Sequence, residues 1–444
     1  MADNHPHHHD PSRSPPQLSL SEHDLGLNFK ATFTEEILPF SISVSEEFLG
    51  LTKLKVSLTR FVDDQNQPDH EDGPPRREAE AVARHWRESY DWRAVEASLN
   101  SRLEQFTTMV HTARTSLHPY PGPIPLHFVH HRSPRADAVP LLFVHGWPGS
   151  FIEVLDIVDQ LTNASDPSHC AFHVVAPSIP GYGFSPPPRS PGFGYRQAGA
   201  TFHSLMVKLG YDRYVFQGGD AGDFINRYAA VDFPESVVSG LSNFWVVPPT
   251  ADDVERYNGR RKGNLDDDGD EKYTIESYRR FTTQSWAYGH LHQTRPLRLA
   301  VGLTDSPVGL AMWIYDSVRT GVDDPDKIWT PDRVVTWTMM HWINGPYGAF
   351  GLYKNGAKDG AISPTGINLL PYVHQPVAIS EFPYDLWYRT PLEWARRGGN
   401  VKYRTVHDRG GHFASLDAPD LLVDDIRRFF GDREVSNTKV FFRE

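Results

Sequence analysis

Residues 214–223 read YVFQGGDAGD, and the reading of this stretch decides the fold. Residues 214–216 form a short aromatic and β-branched run of the kind that makes a buried strand. The run leads straight into Gly218-Gly219-Asp220-Ala221-Gly222, a small–x–nucleophile–x–small spacing. Phe224, Ile225, Tyr228 and Ala229 then recur at helical spacing and stop near Pro234. Strand, sharp turn and helix in that order are the setting of a nucleophile elbow. Asp220 occupies the tip, where hydrolases of this design usually carry serine. Taken alone the motif is ambiguous, because aspartate in a glycine-rich turn also serves as a helix cap or Asx-turn residue.

The neighbouring sequence has the same texture. Short strands are expected at 139–144, 172–176, 237–241, 377–379 and 401–406. Helical patterns lie between them, at 151–161 and 201–209, with a last one at 419–430. Alternating strands and helices imply an α/β fold, a mainly parallel sheet covered on both faces. Before this region, Ser45 is placed to cap a helix with Phe48, Leu51, Leu54 and Leu58 at helical spacing. Residues 64–77 read as a polar loop, and a further helix is expected to carry Trp92, Val95, Leu99, Leu103 and Phe106 on one face. PYPGPIP at 119–125 interrupts the chain. Residues 245–372 are irregular and aromatic-rich, with Trp313, Trp329, Trp337 and Trp342, as expected of a helical lid inserted into the core. The expected organisation is a disordered tail at 1–34, an N-terminal extension packed on the core at 35–125, core at 126–244, lid at 245–372 and core again at 373–444. No internal repeat is present.

Composition excludes several classes of function. The 444 residues are ample for a buried core, and the 39% apolar content is that of a globular protein. A single cysteine, Cys170, rules out an intrachain disulfide and any zinc site made of several cysteines. A formal charge of −12 without a basic stripe argues against a nucleic-acid partner. No apolar run is long enough to cross a membrane, and the polar N-terminus is not a signal peptide. A soluble, cytoplasmic protein with no membrane anchor is expected. The histidines at 5, 7, 8 and 9 read as part of a solvated tail rather than a metal site. NLDDDGDE at 264–271 imitates the start of a calcium loop, but Ile275 stands where the bidentate carboxylate belongs, so no metal is expected there.

Chain order strengthens the elbow. In hydrolases of this architecture the nucleophile precedes the acid, and the acid precedes the histidine. His412 follows Arg409-Gly410-Gly411, after the strand at 401–406 and before the last helix, where the general base belongs. After the strand at 377–379 come Glu381 and Asp385, and either is placed to orient His412. HGWPG at 145–149 follows a buried strand, and its turn is expected to aim the Trp147 amide, together with that of Ala221, at the Asp220 carboxylate. Such a pair would form an oxyanion hole.

At these motifs the sequence resembles the microsomal-type epoxide hydrolases, including their soluble fungal members. The carrying stretches are HGWPGSF (145–151), PGYGFS (180–185), QGGDAGD (217–223), DSPVGLA (305–311), EFPYDL (381–386) and RGGHFA (409–414). PFSISV (39–44) and YDWRAVEASLN (90–100) resemble the N-terminal domain of that family. The resemblance covers roughly residues 35–432. It implies an α/β-hydrolase fold, Asp220 as nucleophile, His412 as base and Asp385 as the acid, with Glu381 as the alternative. It also implies that two lid tyrosines, Tyr288 in SWAYGH and Tyr353 in GLYKN, bind the epoxide oxygen. The implied partners are an epoxide and water, no cofactor is required, and a homodimer is expected. Two departures stand out: Ala221 replaces the tryptophan many relatives carry after the nucleophile, and 116–132 lacks their short Asp-Gly turn.

The chemistry suits these residues. An epoxide carbon is saturated, so attack on it is a displacement, and a carboxylate is already ionised near neutral pH. The resulting alkyl ester divides one hard step into two. A haloalkane dehalogenase shares the aspartate nucleophile but usually binds halide through an indole that Ala221 does not supply. An epoxide-opening cyclase or a catalytically silent binding protein on the same fold are the remaining rivals.

Overall fold

The computed structural model describes residues 18–112, 120–164, 166, 168–262 and 269–442, without the side chains of 261–262. The four N-terminal histidines and residues 264–268 of the acidic loop lie outside the described residues. So do 113–119, within the stretch that lacks the Asp-Gly turn.

Among the described residues, one sheet of nine strands organises the fold. Its strands are β1 (Leu38–Phe40), β2 (Gln105–His111), β3 (Pro123–His131), β4 (Val139–Val144), β5 (Phe172–Pro177), β6 (Tyr214–Gly218), β7 (Val237–Ser242), β8 (Val373–Glu381) and β9 (Gly399–Val406). They lie in the order β9-β8-β7-β6-β4-β5-β3-β2-β1. From β4 through β9 all neighbours are parallel, while β3 joins β5 antiparallel and β2 and β1 continue that edge. Every residue of β4 and β6 is buried, as continuous apolar runs in a doubly covered parallel sheet require. The chain places β5 on one side of β4 and then β6 on the other. That reversal opens a crevice at the carboxyl ends of the strands, where ligands of α/β sheets bind.

The N-terminal part departs from the sequence reading. Residues 18–34, expected to be disordered tail, are folded: Ser19–Ser21 pairs antiparallel with Thr32–Thr34. Buried Phe29 and Phe33 anchor them, and the Phe29 ring meets Phe184 edge-on at 5.0 Å. The expected second helix ends at Arg102, so Phe106 lies in β2 instead, stacked on Phe128 of β3 at 5.7 Å. Thr107, Thr108 and Val110 favour the strand there. A helix at Arg76–Glu88 takes in the last two residues of the expected loop. In helix Glu46–Ser57 the predicted Leu51 and Leu54 are 48% and 54% exposed, whereas Thr52 and Val56 are buried. The inward face is set by Trp342, whose indole N–H donates to Thr52 Oγ1 at 2.8 Å. The expected helix at 151–161 is broken into a tight turn, Phe151–Val154, and a short helix, Val158–Thr162.

Between β7 and β8 the described chain is mainly helical, from Ala251–Lys262 to Tyr347–Lys358. These helices pack onto the loops beyond β4 and β5. His341 Nε2 donates to the Pro148 carbonyl at 2.7 Å, and the Gly183 amide donates to the Met340 carbonyl at 3.0 Å. Gly348 and Gly181 meet backbone to backbone.

Candidate active site

Asp220 sits between the end of β6 and helix Ala221–Asp232, with φ 49° and ψ −131°. A non-glycine residue rarely adopts this conformation, and the surrounding packing must hold it. The elbow is tight because the helix crosses the end of β4 closely. A Cβ on Gly222 would lie 2.0 Å from the Val144 carbonyl oxygen, so only glycine fits.

HGWPG leaves the end of β4 beside the elbow. The Trp147 amide donates to Asp220 Oδ1 at 2.8 Å, and the Ala221 amide also bonds this carboxylate. Burial raises the Asp220 pKa, while the His412 charge and these two amides oppose the rise. Both predicted amides are therefore brought to the predicted carboxylate.

His412 follows β9. Its Nε2 is 3.7 Å from Asp220 Oδ2, and its Nδ1–H donates to Asp385 Oδ2 at 2.6 Å. The loop is pinned from two sides: the His412 amide donates to the Gly321 carbonyl at 2.8 Å, and Asn243 Nδ2 donates to the His412 carbonyl at 3.2 Å. Phe244 meets the imidazole edge-on at 5.0 Å. Burial alone would lower the His412 pKa, but Asp385, Asp220 and Glu153 outweigh it and raise it to about 9.

Of the two acids left open by the sequence, only Asp385 reaches the histidine. Its other oxygen accepts from the Trp387 amide at 3.0 Å, which fixes the carboxylate in place. Glu381, at the end of β8, turns to Arg404 Nε at 2.9 Å and the Arg389 amide at 2.8 Å.

Tyr288, on helix Ala287–Thr294, and Tyr353, on helix Tyr347–Lys358, face the elbow from the helical segment between β7 and β8. Their ring centroids are 6.1 Å apart, and the two hydroxyls are hydrogen-bonded. Tyr288 stacks on Trp147 at 4.9 Å, and Tyr353 meets the same indole edge-on at 6.1 Å. Burial raises both pKa values, and the nearby Asp220 charge raises them further, so both phenols stay protonated. His292, one turn beyond Tyr288, stacks on Phe350 at 3.9 Å and accepts from Trp313 Nε1 at 3.2 Å.

Sequence reading missed Glu153. It lines one cavity with Asp220, His412, Gln217, Asn243 and Ser415. Burial pushes its carboxyl up to about 8, with His412 opposing the rise and Asp220 adding to it. The available signal was a lone carboxylate inside the apolar run FIEVL at 151–155. Among the described residues no group of three or more His, Cys, Asp or Glu is arranged to hold a metal ion.

With this geometry, comparisons with known proteins are specific. Residues 37–154 match the family model described as epoxide hydrolase N terminus, and 139–242 match that of the alpha/beta hydrolase fold. The chain is 30% identical over 402 residues to a Stigmatella aurantiaca protein named "Putative epoxide hydrolase", covering 89% of this chain and 84% of that protein. It is 28% identical to epoxide hydrolase 1 of Sus scrofa, covering 89% of each. The solved structure of Aspergillus niger epoxide hydrolase superposes with a TM-score of 0.74 at 29% identity, covering 90% of this chain and 97% of that one.

Proposed function

The chain belongs to the epoxide hydrolase family of the α/β-hydrolase fold, and from that premise we propose that it opens an epoxide through an ester on Asp220. The observation supporting this reading is the Asp220 carboxylate itself. It is held at 2.8 Å by the Trp147 amide with the imidazole of His412 3.7 Å away, and the two phenols face it from the lid.

In the first step Asp220 Oδ2, the oxygen nearer His412, displaces the ring oxygen from one epoxide carbon. The departing alkoxide takes a proton from the tyrosine pair, and the His412 imidazolium makes good that proton. Losing the Asp220 charge removes one of the negative charges that favour the imidazolium, so neutral His412 becomes more available as the ester forms. In the second step water attacks the ester carbonyl carbon and gives one proton to His412 Nε2. The Trp147 and Ala221 amides receive the oxyanion. Collapse expels the second diol oxygen as an alkoxide, which takes the remaining water proton from the Asp220 carboxyl. Carboxylate and imidazolium are thereby restored.

Single turnover in ¹⁸O-water tests the route. The first diol should take its new oxygen from Asp220, and solvent label in that first product would refute the ester. His412→Gln should accumulate ester, whereas Asp220→Ala should form none.

A further inference from the structure

The mechanism leaves one polar group beside the nucleophile without a use. Glu153 Oε1 is buried and has no hydrogen-bond partner, although the Ser150 amide bonds the same carboxyl. Gln217 Oε1, at the end of β6, is also buried and unpartnered, and it faces the same cavity. Gln217 cannot turn away, because its Nε2 donates to Asn243 Oδ1 at 2.8 Å. Orphaned acceptors beside an active carboxylate are costly unless something donates to them.

The backbone makes deliberate room for Glu153. A Cβ on Gly149 would lie 1.7 Å from Glu153 Oε1, so the carboxyl fills the space directly beneath the HGWPG turn. That turn supplies the Trp147 amide to Asp220. The cavity has room for a water molecule, and its polar lining offers the two to four partners that a held water needs.

We propose that Glu153 holds the water that hydrolyses the Asp220 ester. One water O–H points at His412 Nε2 and the other at Glu153 Oε1, which leaves an oxygen lone pair for the ester carbonyl carbon. Oriented this way, the water's first proton goes to His412, and Glu153 gives and takes none. Glu153 is thus a positioning residue for the second step and has no part in ring opening. Its raised pKa fits this role, because a neutral carboxyl accepts from water and adds no negative charge beside the forming oxyanion.

The inference rests on the ester reading, and its test separates the two. Rapid-quench trapping of the ester gives alkylation and hydrolysis constants for the wild type, Glu153→Met and Glu153→Gln with styrene oxide as probe. Met matches the volume with only a weakly accepting sulfur, and its hydrolysis constant should fall by about 30-fold or more while alkylation changes less than about threefold. Gln keeps an acceptor and should fall between the wild type and Met. A Met variant that hydrolyses the ester at the wild-type rate overturns the inference, as does an equal loss of both steps in a folded protein. Should the Met protein not fold, Glu153→Leu is read in its place: an unchanged hydrolysis constant overturns the inference, and a selective fall supports it. The absence of any ester in His412→Gln would instead overturn the ester reading itself.

Discussion

Asp385 Oδ2 lies 2.6 Å from His412 Nδ1, whereas Glu381, four residues earlier, is committed to Arg404 and the Arg389 amide. The two carboxylates therefore differ in what their removal does. Asp385→Asn should leave ring opening within about tenfold and slow ester hydrolysis by roughly 10²–10⁴, because the imidazole loses the partner that fixes its tautomer. Glu381→Gln should lower the melting temperature while leaving the ester lifetime near that of the wild type. Single-turnover traces of both variants check the assignment, and a long-lived ester in Glu381→Gln would contradict it.

Tyr288 and Tyr353 share a hydrogen bond and lie against the same indole, so one can partly cover for the other. Replacing either by phenylalanine should slow alkylation by about 10- to 100-fold, and replacing both should remove it. Stopped-flow tryptophan fluorescence, with Trp147 as the adjacent reporter, reads the step directly. Full-rate alkylation in the double variant would rule out the phenols as the acid.

These residues were legible from sequence to unequal degrees, for physical reasons. Asp220 and Trp147 each follow a short buried strand, and His412 follows β9, all three within glycine-rich turns, so local spacing places them. Choosing Asp385 over Glu381 depends on which carboxylate Arg404 claims, and Arg404 lies 23 residues beyond Glu381 on the neighbouring strand. Glu153 carries no motif of its own, because its role depends on the loss of a Cβ at Gly149 and on a cavity shared with Ser415 and Gln217. Phe106 was misplaced because helical spacing ran on past Arg102, while the pairing that makes β2 a strand comes from β3. Tertiary partners outweighed local periodicity there.

The elbow tolerates no enlargement at Gly222. With the Val144 carbonyl oxygen 2.0 Å from any added Cβ, the backbone of β4 or of the helix must move. Gly222→Ala should cost about 1–3 kcal/mol, as other overpacking changes do, and should reduce alkylation more than hydrolysis because it displaces Asp220. Urea unfolding and trapped-ester kinetics on the same preparation measure both effects. A stable and fully active Ala variant would show that the close approach is slack.

Buried histidines predict how stability depends on pH. Burial lowers His127 to about 3, below its ordinary unfolded value near 6.5. Its ring is held neutral between Ser178 Oγ at 2.8 Å and Gln105 Oε1 at 3.1 Å. Between about pH 6.5 and 3 the unfolded chain therefore binds one more proton here than the folded chain does. The contribution is complete above pH 6.5 and is lost as pH falls, at about 1.4 kcal/mol per unit. Glu153 has the opposite sign, since its folded value near 8 lies above its unfolded one and its contribution is lost as pH rises from about 4.5 to 8. Comparing the wild type with a variant at one site cancels such background terms. His127→Gln, with both hydrogen-bonding neighbours in place, should therefore flatten the acid limb by about 1.4 kcal/mol per unit between pH 6 and 4. Urea titrations at three pH values measure the slope, and parallel acid limbs in the two proteins would mean that His127 takes up its proton without unfolding.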